Sequence, residues 1–180
     1  MVTTATVGGG CFWCLEAVYQ QLDGVNSVVS GYMGGQKADP TYKEVCEGTT
    51  GHAEVVQLEF DLEVTSFRDI LDVFFVVHDP TTRDRQGNDV GTQYRSVIFH
   101  HSERQREIAQ EMIVDLKPAF RAPIVTAVLP ASRFYPAEAS HQDYFRNHGS
   151  EPYCLTVVGP KVKKFKEKFA DRRRRVMGRP

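Results

Sequence analysis

Three consecutive glycines lead directly into a cysteine near the N-terminus, in the run GGGCFWC at residues 8–14. Residues 2–7, before the glycines, are typical of a short strand. Residues 15–22, after them, repeat apolar side chains at helical spacing. Glycine allows the backbone to turn tightly and to come close to a ligand. The run therefore predicts a strand-to-helix junction with Cys11 at the N-terminus of the helix.

Cys11 is the candidate nucleophile at this junction. Free N–H groups and the helix dipole stabilise an anion at a helix N-terminus. A thiol placed there can have its pKa lowered from about 8.5 to between roughly 3.5 and 7.5, so we expect a reactive thiolate. The two aromatic residues that follow, Phe12 and Trp13, would form an apolar pocket for a small part of a substrate. A buried and unreactive cysteine is the alternative.

Length and composition favour one domain of ordinary globular type. The 180 residues, 41% hydrophobic and 25% charged, are enough to bury a substantial core, so we expect residues 1–180 to form a single catalytic domain. The N-terminus lacks a signal-peptide pattern and no stretch is long enough to cross a bilayer, which favours the cytoplasm and no membrane partner. In that reducing compartment, four cysteines indicate catalytic or redox work, or a metal, more than a disulfide scaffold.

Charge is distributed unevenly along the chain. Residues 161–180 contain ten basic and two acidic residues and carry +8, so the remainder carries −9. Basic tails can bind nucleic acid, but this one offers too few aromatic residues on its polar face for stacking on bases. We expect a solvated helix with a frayed end and no nucleic-acid partner.

The remaining pattern predicts an α+β fold. The order β-α-β-β-α-β between residues 2 and 100 is that of the split βαβ unit, so we expect a ferredoxin-like two-layer sandwich with a mixed sheet and helices on one face. Extra C-terminal helices and a long coil would wrap around it. The predicted strands are 2–7, 25–33, 54–60, 95–100 and 124–129, and the predicted helices are 15–22, 66–77, 102–116 and 138–148.

Three connections are predicted to be irregular. Residues 43–50 are short and lack a pattern. Residues 80–94 are polar and rich in turn residues, and a loop of this length is usually functional or mobile. It offers Asp89 and Tyr94 to a site. Residues 149–153 read as a loop that delivers Cys154.

Glu54 begins a strand whose alternate residues are Val56, Leu58 and Phe60. Alternate residues share one face of a strand, so Glu54 lies in line with side chains that face the core. Burial would raise its pKa and let it act as a general acid near neutral pH. A solvated carboxylate at the end of the strand is an equal alternative.

The Cys11-x-x-Cys14 motif has two interpretations by itself, a dithiol redox pair or half of a zinc site. Zinc is not expected, because no second pair of ligands with suitable spacing completes the four that a structural site needs. Residues three apart on a helix lie close together, which suits a redox pair. Cys14 can equally be a packed core residue.

Three motifs in order, GCFWC at 10–14, GHAE at 51–54 and QGNDVGTQYRS at 86–96, resemble the A-type peptide methionine sulfoxide reductases. The resemblance covers about residues 7–154, nearly the whole chain. It implies reduction of the S epimer of methionine sulfoxide, free or in proteins, as part of protein repair under oxidative stress. It implies no metal and no bound cofactor, with electrons from thioredoxin, or from dithiothreitol in vitro.

The resemblance also implies catalytic roles for residues of this chain that match positions of the family. Cys11 matches the nucleophile and Glu54 the acid that protonates the sulfoxide oxygen. Tyr42 and Tyr94 match the tyrosines that hydrogen-bond near that oxygen. Cys154 matches the recycling cysteine, which condenses with the sulfenic acid on Cys11.

Substrate binding is implied in the same way. Phe12 and Trp13 match the aromatic residues that receive the S-methyl group, and Asp89 matches the acidic residue of the loop that lines the site. Oligomeric state is not encoded in any motif, and we expect a monomer.

Two cysteine pairings remain possible for the recycling disulfide. We expect Cys11–Cys154, formed when a mobile C-terminal segment swings in, with Cys11–Cys14 as the competitor. Cys46 has no partner implied by spacing and is not expected to take part. The alternative function is a general CxxC thiol–disulfide oxidoreductase, although dithiol exchange needs neither Trp13 nor Glu54.

Overall fold

The computed structural model describes residues 1–174, which contain eight strands and six α-helices. The strands are β1 (Val2–Gly8), β2 (Val25–Met33), β3 (Ala53–Asp61), β4 (Arg85–Gln86), β5 (Asp89–Val90), β6 (Val97–His100), β7 (Ala127–Pro130) and β8 (Tyr135–Pro136). The helices are α1 (Phe12–Tyr19), α2 (Tyr42–Cys46), α3 (Phe67–Val77), α4 (Glu103–Leu116), α5 (Tyr144–His148) and α6 (Gly159–Lys168).

Six of the strands form one mixed sheet in the order β7-β6-β1-β3-β2-β8. Strand β3 pairs antiparallel with both β1 and β2, so it separates the two strands that α1 connects. Strand β1 likewise separates β3 from β6. This is the interleaved connection of a split βαβ unit. The α+β prediction is confirmed, and the strand order is compatible with the ferredoxin-like core.

The main core lies between the sheet and the helices. The predicted alternation in β3 is confirmed, because Glu54, Val56, Leu58 and Phe60 are all at most 1% exposed. Buried side chains of α1, α3, α4 and α6 pack in the same cluster. A buried phenylalanine such as Phe74 of α3 contributes about 1.5–3 kcal/mol.

A smaller apolar cluster occupies the other face of the sheet. It contains Met33, Ala53 and Val55, and Phe134 from the coil before β8 packs on it. The start of β3, from Ala53 to Val55, is therefore buried on both faces of the sheet. Because the strand has no exposed face there, Glu54 is enclosed by protein and does not lie at a solvated strand end.

Helix α1 begins three residues earlier than predicted, at Phe12, and Cys11 is its N-cap. The glycines produce this abrupt start. Gly10 has φ +94°, and a Cβ there would stand 2.6 Å from Cγ of Gln86. The turn therefore needs glycine for its backbone conformation and for the close approach of β4.

Two connections predicted to be irregular contain regular structure. Residues 43–50 were expected to lack a pattern, but α2 starts at Tyr42 and is held by a capping box between Thr41 and Glu44. The loop at 80–94 contains the hairpin β4–β5, which turns at Gly87 with φ +57°. Both signals, T-x-x-E and Gly-Asn, are present in the sequence.

Two predicted elements differ in extent, and one observed strand was not predicted. The helix expected at 138–148 is divided, because Asp143 adopts a left-handed conformation, φ 52°, between a 3₁₀ turn at Ala139–His141 and α5. The strand expected at 124–129 starts at Ala127 and pairs parallel with β6. Strand β8 was not predicted at all.

The segment that carries Cys154 is helical. A π-helical turn at Cys154–Val158 continues directly into α6, and Cys154 is fully buried. The loop predicted at 149–153 is therefore shorter than expected, since residues 152 and 153 are already helical, and Cys154 lies on a helix. The side chain packs into the main core, and burial of this kind orders the backbone around it.

The basic C-terminal region is partly ordered. Arg172 pairs with Asp69 and Asp72 of α3, and its carbonyl accepts the N–H of Asp23. The expected frayed end is wrong as far as residue 174, and the rest of that prediction concerns residues 175–180, which lie outside the described residues. In the described part, no helix combines the length and the apolar character needed to cross a bilayer.

Candidate active site

Cys11 lies where β1 ends and α1 begins, next to a carboxyl group from β3. Its thiol is 7% exposed. The first N–H of α1, on Phe12, donates to Oε1 of Glu54 at 3.1 Å. The predicted position of the Cys11 thiol at a helix N-terminus is confirmed. The free N–H group at this end of the helix donates its hydrogen bond to the Glu54 carboxyl.

Glu54 is the most unusual side chain of the site. It is 1% exposed, and its second oxygen, Oε2, is buried without a hydrogen-bond partner among the described residues. Burial raises the pKa of Glu54 to about 8, although the Phe12 N–H opposes that shift. Glu54 is therefore a neutral carboxylic acid at pH 7, and the unpartnered oxygen can carry a proton toward a ligand.

Cys11 and Cys14 form a coupled pair of thiols. Each lies close enough to affect the pKa of the other. Burial is the main reason why the pKa of the Cys11 thiol is raised, and the neighbouring Cys14 and Glu54 raise it further. The neighbouring Cys11 side chain is the largest influence on the Cys14 thiol and lowers its pKa. The pair titrates as a unit and loses its first proton more readily from Cys14.

The expected low pKa of Cys11 is therefore wrong for the substrate-free site. A helix N-terminus stabilises a thiolate best where water or cations assist it. Here the sulfur is enclosed, and the nearest groups are a carboxyl and another thiol. Lys161 of α6 is a cation near the pair, and it helps to lower the pKa of Cys14.

Tyr42 and Tyr94 approach the same centre from α2 and from the 3₁₀ turn Thr92–Tyr94. Both are half-buried, and burial, followed by the charge of Glu54, raises the pKa of each hydroxyl far above neutrality. Both therefore remain neutral hydrogen-bond donors. Cys46, which had no partner implied by spacing, hydrogen-bonds the Tyr42 side chain from the last position of α2.

Phe12 and Trp13 belong to an aromatic cluster. The Phe12 ring is fully buried and stacks near Tyr42, with 6.2 Å between centroids. The Trp13 ring is half-buried and lies flat against Tyr144, at 3.7 Å and 5°. Its Nε1–H donates to Nδ1 of His141 at 3.3 Å. These rings give the thiol an apolar wall.

Asp89 connects the hairpin to the segment before Cys154. The Tyr153 hydroxyl donates to Oδ2 of Asp89 at 2.7 Å and lies near enough to Cys14 to help lower the pKa of that thiol. Cys154, the next residue, lies close enough for the charge of Cys14 to raise its pKa, although burial is the larger cause. The structure thus brings Asp89 and Cys154 to the thiol pair through Tyr153.

Sequence reasoning missed several residues of this site. Tyr32 donates to Glu138 at 3.2 Å, and Glu138 also accepts the N–H of Tyr42 at 3.1 Å. Together with His141, Tyr144 and Tyr153 they form the outer part of the aromatic cluster. The only signal for His141, Tyr144 and Tyr153 was a high density of His and Tyr after residue 134, which by itself indicates no particular contact. Within residues 1–174, no three His, Cys, Asp or Glu side chains cluster as metal ligands would.

A thiol pair, a neutral carboxylic acid and an aromatic wall define a cysteine-based redox enzyme. Comparisons with known proteins identify its family. A family model described as "Peptide methionine sulfoxide reductase" matches residues 3–173. The protein named "Peptide methionine sulfoxide reductase MsrA" of Polynucleobacter asymbioticus is 57% identical over 167 residues, 92% of this chain and 88% of that protein.

Solved structures agree with this match. Mxr1 from Saccharomyces cerevisiae in reduced form is similar with a TM-score of 0.80 and 33% identity, over 87% of this chain and 91% of that one. Mxr1 in complex with Trx2 is similar with a TM-score of 0.56 and 25% identity, over 79% and 84%. The chain belongs to the peptide methionine sulfoxide reductase family, and it is an oxidoreductase that reduces methionine sulfoxide.

Proposed function

We propose that Cys11 is the nucleophile and Glu54 the proton donor of this reduction. Cys11 sulfur attacks the sulfoxide sulfur while its own proton passes to the neighbouring Cys14. Glu54 protonates the departing oxygen, which is otherwise a poor leaving group. The observation that carries the proposal is the buried, unpartnered Oε2 of Glu54 beside Cys11, on a carboxyl with a pKa of about 8.

Atoms and electrons balance in this first half-reaction. The protonated oxygen leaves as water, and a water molecule then attacks the Cys11 sulfur of the Cys11–substrate sulfonium and displaces methionine. The substrate sulfur thereby gains two electrons, and the Cys11 sulfur loses two and becomes a sulfenic acid. Tyr42 and Tyr94 supply neutral donors whose hydrogen bonds strengthen as negative charge develops on the oxygen. Their protonated state near neutral pH supports this role.

The substrate would bind through its S-methyl group. We assign Phe12 and Trp13 to the apolar pocket, since their rings are the nearest large apolar surface along the chain to Cys11. Asp89 lines the site from the hairpin and is fixed by Tyr153. The pocket binds only the methyl group and the sulfoxide, so both free methionine sulfoxide and oxidised proteins are substrates, with the S epimer preferred.

We propose that Cys14 resolves the sulfenic acid before Cys154 does. Cys14 lies three residues after Cys11 at the start of α1, and each thiol affects the pKa of the other, whereas Cys154 is buried on a helix. Cys14 condenses with the sulfenic acid to a disulfide and releases water. The thiolate of Cys154 then attacks the Cys14 sulfur and frees Cys11, which leaves a Cys14–Cys154 disulfide. Direct attack by Cys154 on Cys11, the pairing expected from the resemblance, is the alternative.

Thioredoxin is the proposed reductant of that disulfide, with dithiothreitol as a substitute in vitro. The complex of Mxr1 with Trx2 supports this choice. We further propose that residues 1–180 act as one catalytic domain, as a monomer in the cytoplasm, with no metal or bound cofactor. A general dithiol oxidoreductase is not favoured, because it would give no role to Glu54 or to the aromatic cluster.

The test uses separated S and R epimers of a blocked methionine sulfoxide. Thioredoxin, its reductase and NADPH supply electrons to the wild type and to the Cys14→Ser and Cys154→Ser variants. We expect only the S epimer to be reduced and both variants to form one equivalent of methionine and then slow. Mass spectrometry of Cys154→Ser should show a Cys11–Cys14 disulfide. Reduction of both epimers, or a persistent Cys11 sulfenic acid in Cys154→Ser, would contradict the proposal.

A further inference from the structure

Glu16 is a buried carboxylate that the chemistry does not use. It lies on α1 three residues after Trp13, so both side chains project from the same side of the helix. It is 1% exposed. A buried carboxyl group is costly unless hydrogen bonds replace its water, and Glu16 has partners on two other elements.

The first partner is the start of α5. Oε1 of Glu16 accepts the N–H of Tyr144 at 3.1 Å, and the backbone of Asp143 is a further donor to this carboxyl. The second partner is on β2, where the Ser30 hydroxyl donates to Oε2 at 3.3 Å. Both oxygens are therefore occupied, one by the C-terminal segment and one by the sheet.

Helix α5 depends on this contact because its own N-cap is ineffective. Asp143 occupies the N-cap position with φ 52°, and its side chain makes no capping hydrogen bond. The first N–H groups of a helix need acceptors, and here the acceptor comes from α1. Removal of the Glu16 carboxylate would leave a short helix without a cap.

Tyr144, the residue that Glu16 holds, is also the residue whose ring covers Trp13. The two rings lie parallel at 3.7 Å. His141, one turn earlier, accepts the hydrogen bond of the Trp13 indole and stacks at 5.7 Å and 12°. The position of the Trp13 ring is thus fixed by a segment more than 120 residues away along the chain, and Glu16 anchors that segment to α1.

We propose that Glu16 is a positioning residue for substrate binding: by capping α5 it keeps Tyr144 and His141 on Trp13, and so fixes the wall of the methyl pocket. This inference rests on the proposed role of Trp13 in binding the substrate methyl group. Glu16 itself touches neither the substrate nor the reacting sulfur. Its effect reaches the reaction through the Trp13 ring.

Fluorescence tests the positioning without reference to activity, because Trp13 is the only tryptophan of the chain. In Glu16→Gln the charge and one of the two acceptor oxygens are lost, so the remaining carboxamide oxygen gives the N–H groups of α5 a weaker, uncharged cap. We expect the Trp13 emission to shift to longer wavelength and its quenching by acrylamide to rise by about twofold, as expected for a ring that loses its cover. Tyr144→Leu, which removes the ring and keeps the N–H, should give the same signature.

Kinetics then test the consequence. Reduced enzyme without a reductant forms methionine in a single turnover, so recycling does not enter. For Glu16→Gln we expect the half-saturating concentration of blocked methionine S-sulfoxide to rise about tenfold and the saturating rate to change less than about twofold. Glu59→Gln is the matched control, because Glu59 also accepts a serine hydroxyl, that of Ser27, but lies exposed on β3.

Two results would overturn the inference. One is an unchanged Trp13 emission in folded Glu16→Gln while Tyr144→Leu shifts. The other is a fall in the saturating rate with no change in half-saturation. If Glu16→Gln does not fold, Glu16→Asp, which keeps the charge but is too short to reach α5, takes its place with the same two criteria. An altered emission together with unchanged half-saturation would mean that Trp13 does not bind substrate, which contradicts the proposed function and leaves the positioning intact.

Discussion

The two cysteine-bearing halves of this site are held in different ways. Cys11 is fixed by local backbone geometry, at a junction where Gly10 has φ +94° and the next N–H is bound to Glu54. Cys154 is fixed by remote side chains, through Tyr153 on Asp89 and through burial against the core. The first arrangement is rigid because few conformations are allowed, whereas the second can be released by breaking a few contacts.

This difference matches the two tasks of a thiol reductase. The attacking sulfur has to stay in place during chemistry, and the recycling sulfur has to leave its buried position to exchange disulfides. Substitutions at the first half should therefore change the chemical step, and substitutions at the second half should change recycling.

The largest expected effect is on the chemical step in Glu54→Gln. Loss of a general acid lowers the rate about 10²–10⁴-fold, measured as methionine formed in a single turnover. In the wild type the acid form is active, so the rate should fall as pH rises through about 8, the pKa of Glu54. This fall of the rate with pH should be absent in Glu54→Gln. If the variant retains both the wild-type rate and the fall with pH, another group donates the proton.

The same substitution has a predictable effect on stability. The folded state raises the pKa of Glu54 to about 8, so it binds a proton that the unfolded state releases near pH 4.5. The contribution of Glu54 is fully present below about pH 4.5 and is lost as pH rises through about 8. The melting temperature of Glu54→Gln, relative to wild type, should therefore increase between pH 5 and 9.

A smaller effect is expected in Gly10→Ala, with Gly48→Ala as its control. Both glycines have positive φ, but only at Gly10 would a Cβ meet another side chain, that of Gln86, whereas nothing lies within 4 Å of a Cβ at Gly48. Each variant should lose about 1 kcal/mol or more of unfolding free energy from backbone strain. Only Gly10→Ala should also slow the single turnover. Equal single-turnover rates for the two variants would show that the turn at Gly10 does not control the reactivity of Cys11.

The smallest effect is expected in Tyr153→Phe. Loss of the hydrogen bond to Asp89 should destabilise the closed position of the Cys154 segment by about 0.5–1.5 kcal/mol. The segment should then open more often, and thioredoxin should reduce the disulfide roughly two- to tenfold faster. The single turnover should stay within about twofold of the wild type. Tyr135→Phe, on the edge strand β8, is the control. Slower recycling would instead assign Tyr153 to support of the Cys14 thiolate.

Some features of the site followed directly from short stretches of sequence. Three glycines before Cys11 predicted the junction, because few other residues allow such a turn. The alternation after Glu54 predicted that it shares the core-facing row of its strand, because a strand has a period of two, and left burial and a solvated strand end as equal alternatives. The helix predicted at 66–77 is present, and it starts at a capping box formed by Ser66 and Asp69. Each of these depends on residues that are neighbours along the chain.

Other features depended on contacts between distant residues. The pKa of Cys11 was predicted in the wrong direction, because burial in the folded protein is the main influence on it, followed by Cys14 and by Glu54, 43 residues away along the chain. The cover on Trp13 comes from Tyr144, and the cap of α5 comes from Glu16. No local pattern encodes such pairs, since many tyrosines and glutamates could have met there.

The sequence by itself therefore determined the strand-to-helix junction at Cys11, the core-facing row of Glu54 and the α+β class, because local steric and periodic rules specify them. The tertiary structure alone decided which thiol of the pair loses its proton first, that Cys154 is buried on a helix, and which rings enclose Trp13. These properties depend on desolvation and on packing between remote segments, which arise only when the chain is folded.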